Sequence, residues 1–278
     1  MRYIRVETVP EILDALREDG ARLLAGGTDL IVKIRSGLAA PTILIDISDV
    51  ECLQGISEAN GVIEIGAATP EEDLLCSALL RERLPLLTEV LGALGSMQIR
   101  NRGTLGGNLV NASPAADGAV PLLLYDAEVL LTSAAGDRTL PVETFLLGPG
   151  QTALESGEFV RAIRAPIPDR PFQRFFHKVG KRRALTIAIA SVAALIHTED
   201  NRVVEARFAA GSVAPVPLRL RRLEDRLRSA HLDGETLAES AHLAAESVSP
   251  ISDVRASAEY RSSVVGDLVA RALRSAFS

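Results

Sequence analysis

Two Gly-Gly pairs, eighty residues apart, are the feature that most constrains this chain. In "LLAGGTDL", Gly26 and Gly27 stand between a run typical of a short buried strand and a run typical of a helix. In "TLGGNLVNASPAADGAVPLLL", Gly106 and Gly107 open a polar stretch that continues to Asp117 and precedes a buried helix start. A turn needs only one or two such residues. We therefore interpret both segments as backbone laid against a ligand.

Glycine permits this because it has no Cβ, so its backbone can approach a ligand closely and adopt a positive φ, which we expect at Gly107. The N–H groups that open the helix after the first pair, capped by Thr28 or Asp29, favour an anion. Neither pair fits G-x-G-x-x-G in a βαβ context or a Walker A loop. The residues thus indicate a nucleotide or phosphate site, with two simple tight turns as the alternative.

Composition narrows the class of protein. The length of 278 residues suits two domains, and 47% hydrophobic residues allow a sizeable core. Aromatic residues make up only 4%, so the core must be built from aliphatic side chains. The net charge of −6 gives no indication of a nucleic-acid or anionic-membrane partner, and the basic cluster "KVGKRR" is too short to change that.

No apolar signal-peptide core opens the chain. The longest apolar run, "LTIAIASVAALI", is shorter than the ~20 residues that a membrane helix needs. We therefore expect a cytoplasmic protein without a membrane span. Cys52 and Cys76 are too few for a four-cysteine cluster, and we expect both to be buried free thiols. The four histidines are scattered, which favours structural or surface roles for them.

The order of predicted elements indicates an α+β protein with two domains. Strands and helices alternate up to about residue 164, the proline-rich stretch from Arg164 to Pro171 is the best candidate for a linker, and two long strands and three helices follow. We place the domains at residues 1–168 and 172–278. The helical run after Pro70 is expected to break near Pro85.

Five stretches of the chain together resemble one known family. These are "LLAGGTDLIVKIR", "IRNRGTLGGNLVNASPAAD", "KVGKRRALTIAIA", "FAAGSVAPVPLR" and "SDVRASAEYRSSVVGDLVARAL". They occur in order over nearly the whole chain and are similar to the FAD-binding medium subunit of the xanthine dehydrogenase/carbon monoxide dehydrogenase family of molybdenum hydroxylases. The resemblance implies a two-part PCMH-type (vanillyl-alcohol-oxidase-like) FAD-binding domain, followed by a C-terminal α+β domain with a sheet and helices.

The resemblance also implies where FAD would bind. Backbone amides of the first segment would meet the diphosphate, Gly106 and Gly107 would let the chain approach the flavin, Asn108 and Ser113 would hydrogen-bond it, and Asp117 would meet a ribityl hydroxyl. Lys178 would close over the flavin from the second domain, and its alternative is a solvated surface lysine. The full set of cofactor-binding residues is Leu24, Ala25, Gly26, Gly27, Thr28, Asp29, Leu30, Thr104, Leu105, Gly106, Gly107, Asn108, Ser113, Asp117 and Lys178.

Such a subunit passes electrons from [2Fe–2S] clusters in a small partner subunit through FAD to NAD+, a quinone or oxygen, while a large subunit carries the molybdenum cofactor. The resemblance therefore implies a heterotrimer or its dimer, no catalytic residue and no metal site in this chain. Two alternatives remain open: a stand-alone PCMH-type flavin oxidoreductase, and a non-catalytic nucleotide-binding scaffold.

Four further expectations accompany the resemblance. Many relatives have a tyrosine where this chain has Phe176, and two cysteines cannot hold the extra iron–sulfur cluster of the 4-hydroxybenzoyl-CoA reductase branch. Neither glycine segment contains His or Cys, so we expect a non-covalent flavin. Arg100 and Arg102 are expected to form a basic spot where the iron–sulfur subunit docks, with two solvated arginines as the alternative.

Overall fold

The computed structural model describes residues 1–182, 186–200 and 202–277. The chain begins with three parallel strands joined by two helices: β1 (Arg2–Arg5), α1 (Val9–Ala15), β2 (Ala21–Leu24), α2 (Leu30–Arg35) and β3 (Ile43–Asp46). β3 lies between β1 and β2. A capping box between Thr8 and Glu11 fixes the start of α1. α2 has no buried residue, so it lies on the surface next to the first Gly-Gly pair.

An antiparallel sheet and a set of short helices follow. The strands are β4 (Ile56–Ala59), β5 (Val62–Gly66), β6 (Glu128–Ser133), β7 (Gly136–Pro141), β8 (Leu146–Gly148), β9 (Gln151–Thr152) and β10 (Phe159–Pro166). Five of them form a sheet in the order β4-β5-β10-β6-β7, while β8 pairs with β9. The helices are α3 (Glu71–Cys76), α4 (Ala78–Arg83), α5 (Pro85–Gly92), α6 (Met97–Arg100), α7 (Leu105–Asn111), α8 (Ala119–Leu124) and α9 (Val142–Phe145). Every residue of α8 is buried, as the apolar run predicted.

The last part of the chain pairs a four-stranded antiparallel sheet with three helices. Its elements are β11 (Gln173–Val179), β12 (Ala190–Glu199), β13 (Arg202–Gly211), β14 (Leu218–Arg219), α10 (Arg221–Leu227), α11 (Gly234–Glu246) and α12 (Ala258–Ala276). The strands lie side by side in the sheet in the same order as in the sequence. The two long strands and three helices were predicted, and the α+β fold class is confirmed by these elements.

From Ala190 onwards, the long apolar run is a strand buried on both faces. Ala193 and Leu195 of β12 pack into the core that contains α8 and the five-stranded sheet. Val192 and Ala194 pack on the opposite face, against the C-terminal helices. Side chains of a strand alternate between faces, so a strand covered on both sides is apolar at every position. No helix in the described ranges is long and apolar enough to cross a bilayer.

Two expectations about the chain need correction. Arg164 to Pro166 are the last residues of β10, so the connection to β11 is confined to residues 167–172 and is shorter than the proposed linker. Cys52 and Cys76 are free, as expected, but they are exposed. Cys52 precedes the buried Leu53 on a short helical turn, and Cys76 ends α3, whose buried residues are Glu71 and Leu74.

A buried arginine holds the C-terminal elements together. The guanidinium of Arg261, in α12, donates hydrogen bonds to the backbone oxygens of Ile189 (2.5 Å) and Ser212 (3.1 Å) and to Asp253 (2.8 Å). Its side chain is only 2% exposed. Arg261 thus ties α12 to the segment that enters β12 and to the segment that leaves β13.

Arg261→Met is expected to destabilise the chain by about 1–3 kcal/mol, because two buried carbonyl oxygens lose their donor, while Asp253 keeps its ion pair with Arg255. Urea unfolding followed by circular dichroism measures the change. Arg228→Met is the matched control, since Arg228 pairs with Asp225 at the exposed surface and such pairs contribute at most ~1 kcal/mol. Equal effects of the two substitutions would contradict this account.

Candidate functional site

The first glycine segment links the end of β2 to the start of α2. Gly27 has a φ of +73°, a conformation that side-chain-bearing residues rarely adopt. A Cβ atom at Gly26 would lie 1.6 Å from the carbonyl oxygen of Arg102. Gly26 is therefore required by close contact with the chain that leads into the second glycine segment, and not by a turn.

The backbone N–H groups of this segment are unpaired in the described structure. From Gly26 to Leu30, five consecutive N–H groups donate no hydrogen bond to the described residues. Asp29 occupies the position that precedes α2, but its side chain caps none of these groups, contrary to the sequence expectation. Successive unpaired N–H groups beside a residue with positive φ form a concave surface that binds anions. The segment can thus hold a phosphate group.

The second glycine segment is the first turn of α7 and not the loop that the sequence predicted. Thr104 caps this helix by accepting from the Gly107 N–H at 3.0 Å, and Gly107 has no positive φ. A Cβ atom at Gly106 would lie 2.6 Å from the carbonyl oxygen of Ala67, whereas one at Gly107 would meet only the Thr104 hydroxyl. Gly106 therefore serves packing of the helix on the protein, and Gly107 is the exposed member of the pair.

The two glycine segments are in direct contact. Besides the approach of Gly26 to Arg102, Lys33 of α2 donates to the Asn111 side-chain oxygen of α7 at 2.6 Å. Thr104 also forms a β-bridge with Pro70. The fold thus brings together two segments that are eighty residues apart in sequence, as a single extended ligand would require.

Two buried oxygen atoms near α7 have no partner. Asn108 Oδ1 and Asp117 Oδ1 accept no hydrogen bond in the described structure. The backbone next to Asp117 lies close to Asn108, because a Cβ atom at Gly118 would lie 3.0 Å from Asn108 Oδ1. Ser113 instead accepts from the Ala115 N–H at 3.2 Å and shapes the turn between α7 and α8. Since buried acceptors are costly without donors, Asn108 and Asp117 are oriented for the hydroxyl or N–H groups of a ligand.

The second part of the chain contributes Lys178 from β11. Its ammonium group lies 2.5 Å from Asp117 Oδ2 and 3.0 Å from the Ala93 carbonyl oxygen. Both side chains of the ion pair are over nine-tenths buried, so the alternative of a solvated surface lysine is wrong. Burial raises the pKa of Asp117, and the charge of Lys178 opposes this increase. Asp117 therefore uses one oxygen for Lys178 and keeps the other free.

One residue of the site was missed from the sequence. Glu71, at the start of α3, is only 2% exposed, and its N–H donates to the Gly103 carbonyl at 2.8 Å. Burial, together with the negative charges of Asp29 and Asp117, raises the pKa of its carboxyl to about 7, while the charge of Arg100 opposes this. No sequence signal marked Glu71, in the helical run after Pro70, as buried.

The expected basic spot is not formed as proposed. Arg100 is directed inward, where its guanidinium pairs with Glu72 at 2.6 Å and donates to the Leu94 carbonyl. Arg102 is exposed. The part of the chain that the structure describes contains no group of three or more residues that could hold a metal ion. Of the "KVGKRR" cluster, Arg183 lies outside the described residues, as do Ala184 and Leu185.

The residues fit a dinucleotide with a diphosphate. A row of unpaired N–H groups suits the anion, the exposed backbone at Gly107 permits close approach of a planar group, and the free oxygens of Asn108 and Asp117 suit hydroxyl or N–H donors. These features meet at one place, between the first sheet, α7 and β11.

Comparisons with known proteins agree with this geometry. The family model described as the FAD binding domain in molybdopterin dehydrogenase matches residues 1–168, and the model of the CO dehydrogenase flavoprotein C-terminal domain matches residues 175–276. The chain is 34% identical to the carbon monoxide dehydrogenase medium chain of Hydrogenophaga pseudoflava, over 99% of this chain and 96% of that protein. It is 33% identical to the glyceraldehyde dehydrogenase medium chain of Sulfolobus acidocaldarius, over 98% and 96%.

A solved structure shows the same fold over the whole chain. It is the carbon monoxide dehydrogenase of Hydrogenophaga pseudoflava that lacks the Mo-pyranopterin moiety of the molybdenum cofactor. The match has a TM-score of 0.95 at 33% identity and covers 100% of this chain and 97% of that one. The chain therefore belongs to the FAD-binding medium subunits of the molybdenum hydroxylases, the family of the carbon monoxide and xanthine dehydrogenase flavoproteins, and is an oxidoreductase subunit with FAD as its cofactor.

Proposed function

We propose that this subunit passes electrons from [2Fe–2S] clusters of a partner chain to an external acceptor, through an FAD held between the two glycine segments. The proposal is carried by five unpaired backbone N–H groups in the first glycine segment and by the free oxygens of Asn108 and Asp117. The contacts of Gly26 with Arg102 and of Lys33 with Asn111 join the two segments that carry these groups. FAD, when bound, supplies a centre that exchanges electrons singly with iron–sulfur clusters and in pairs with an acceptor such as NAD+.

The residues of this chain bind and orient the cofactor. The N–H groups from Gly26 to Leu30 bind the diphosphate, with Leu24 and Ala25 leading into them. Thr104 and Leu105 hold the helix start that exposes Gly107. Asn108 and Asp117 accept from the cofactor's donors, Ser113 fixes the turn between them, and Lys178 closes the site from the second domain.

The partners follow from the family. The relatives named above are medium chains of dehydrogenases, and we propose that this chain likewise assembles with a large subunit that holds the molybdenum cofactor and a small subunit that holds two [2Fe–2S] clusters. The assembly is a heterotrimer or its dimer in the cytoplasm. The acceptor is NAD+, a quinone or oxygen, and the substrate is chosen by the large subunit.

Purification of the affinity-tagged chain from its native host tests the assembly. We expect two further chains by mass spectrometry, molybdenum and iron by elemental analysis, and FAD that acid precipitation releases into the supernatant. The flavin should be reduced by substrate only in the complex, and stopped-flow reoxidation with NAD+, a quinone or oxygen then identifies the acceptor. Substrate turnover by the isolated chain would support a stand-alone oxidoreductase, and a chain without flavin would support a scaffold.

A further inference from the structure

Glu71 lies behind the contact between the two glycine segments. Its backbone N–H donates to the carbonyl oxygen of Gly103. Gly103 follows Arg102, and the carbonyl group of Arg102 is in contact with Gly26. The carboxyl oxygen Oε2 of Glu71 would be 2.9 Å from a Cβ atom at Gly103. A change in the position or charge of this carboxyl group therefore acts directly on the contact between Gly26 and the Arg102–Gly103 backbone.

The carboxyl group of Glu71 makes no hydrogen bond or ion pair with any described residue. The charged groups that face it are Asp29 at the start of α2, Asp117 before α8 and Arg100 of α6. Arg100 is already paired with Glu72, and Lys178 with Asp117. No free cation among the described residues thus balances a negative charge on Glu71, and burying a charge without a partner is costly.

A diphosphate bound at residues 26–30 adds more negative charge to this place. The response that costs least is to remove the charge of Glu71, because Arg100 and Lys178 are already paired with other carboxylates. We propose that Glu71 is a positioning residue that binds a proton together with FAD, and that its neutral carboxyl group holds the Gly103 turn against Gly26 when the cofactor is in place. This inference rests on the placement of FAD given under the proposed function.

The direction of the pH dependence follows from linkage. In the apoprotein the pKa of Glu71 is raised to about 7. The protonated carboxyl group of Glu71 therefore adds to the free energy of unfolding of the apoprotein. This contribution is complete below the ordinary carboxyl pKa and is lost as the pH rises through about 7. If FAD raises this pKa further, the apoprotein must take up a proton to bind FAD above about pH 7. The affinity for FAD should therefore fall as the pH rises.

Titration of the apoprotein with FAD, followed by flavin fluorescence, measures this coupling. We expect the Kd to rise about tenfold between about pH 6 and about pH 8, since each bound proton contributes at most a factor of ten per pH unit. Glu71→Gln should bind FAD with a Kd that is nearly constant over this range. Glu64→Gln is the matched control, because Glu64 pairs with Arg164 at the surface, and it should keep the tenfold rise.

Proton uptake provides a second measurement that needs no variant. Addition of FAD to the wild-type apoprotein in weakly buffered solution at about pH 8 should consume about one proton per FAD. A pH-independent Kd of the wild type, or an unchanged pH dependence in Glu71→Gln, overturns the role of Glu71 while the FAD site stands. Failure of the wild-type apoprotein to bind FAD at any pH overturns both.

Discussion

Gly26→Ala is expected to weaken FAD binding by at least about a hundredfold and to destabilise the chain by roughly 1–3 kcal/mol or more. The added Cβ atom would lie 1.6 Å from the Arg102 carbonyl oxygen and 2.3 Å from its carbon. Both are main-chain atoms, so no side-chain rotation can relieve the collision. The two glycine segments must separate, and the N–H groups from Gly26 to Leu30 then lose their position relative to Asn108 and Asp117.

Gly37→Ala is the matched control for this prediction. Gly37 has a φ of +75°, but a Cβ atom there would have no neighbour within 4 Å. The substitution therefore introduces only backbone strain, on the order of 1–2 kcal/mol, without separating the segments. Fluorescence titration with FAD and urea unfolding measure both effects. Wild-type affinity in Gly26→Ala would show that the contact with Arg102 does not position the cofactor site.

Gly26 and Gly106 show how far the sequence could predict the site. The Gly-Gly pairs predicted a ligand site at two segments, and the fold brings these two segments into contact. The pairs did not reveal that Gly26 contacts Arg102 and that Gly106 contacts Ala67. A glycine needed for approach to a ligand and one needed for approach to the protein's own backbone look alike in a sequence. The helical start at Thr104 was missed because two glycines weaken the intrinsic helix signal.

The burial and pairing of the charged residues at the site could not be predicted from the sequence, because they depend on contacts between residues far apart in the chain. Arg100 pairs with Glu72, which precedes it by twenty-eight residues, so a residue assigned to the surface is directed inward. Glu71 and Glu72 are adjacent acids in one helical turn, yet only Glu71 is nearly completely buried. The long strands β12 and β13, in contrast, were predicted correctly. Each has ten residues, and two apolar runs separated by a short polar turn are recognisable in the sequence itself.

Lys178→Met is expected to destabilise the chain by about 3–5 kcal/mol, because it leaves Asp117 as a buried carboxylate without a cation. It should also weaken FAD binding at least tenfold, since the ion pair is what joins β11 to the segment that carries the free Asp117 oxygen. Lys181→Met is the control. Lys181 lies three residues further on, is exposed and, among the described residues, donates to the Val254 carbonyl alone.

The double variant Lys178→Met with Asp117→Asn separates the two effects. Removal of both charges eliminates the uncompensated carboxylate, so we expect most of the lost stability to return. The affinity for FAD should stay low, because the charged link between the two parts of the chain is still missing. Urea unfolding and FAD titration of the wild type, both single variants and the double variant give the two coupling energies. If Lys178→Met and the double variant were equally unstable, Lys178 and Asp117 would not be energetically coupled, and the closure of the site by Lys178 would have to be abandoned.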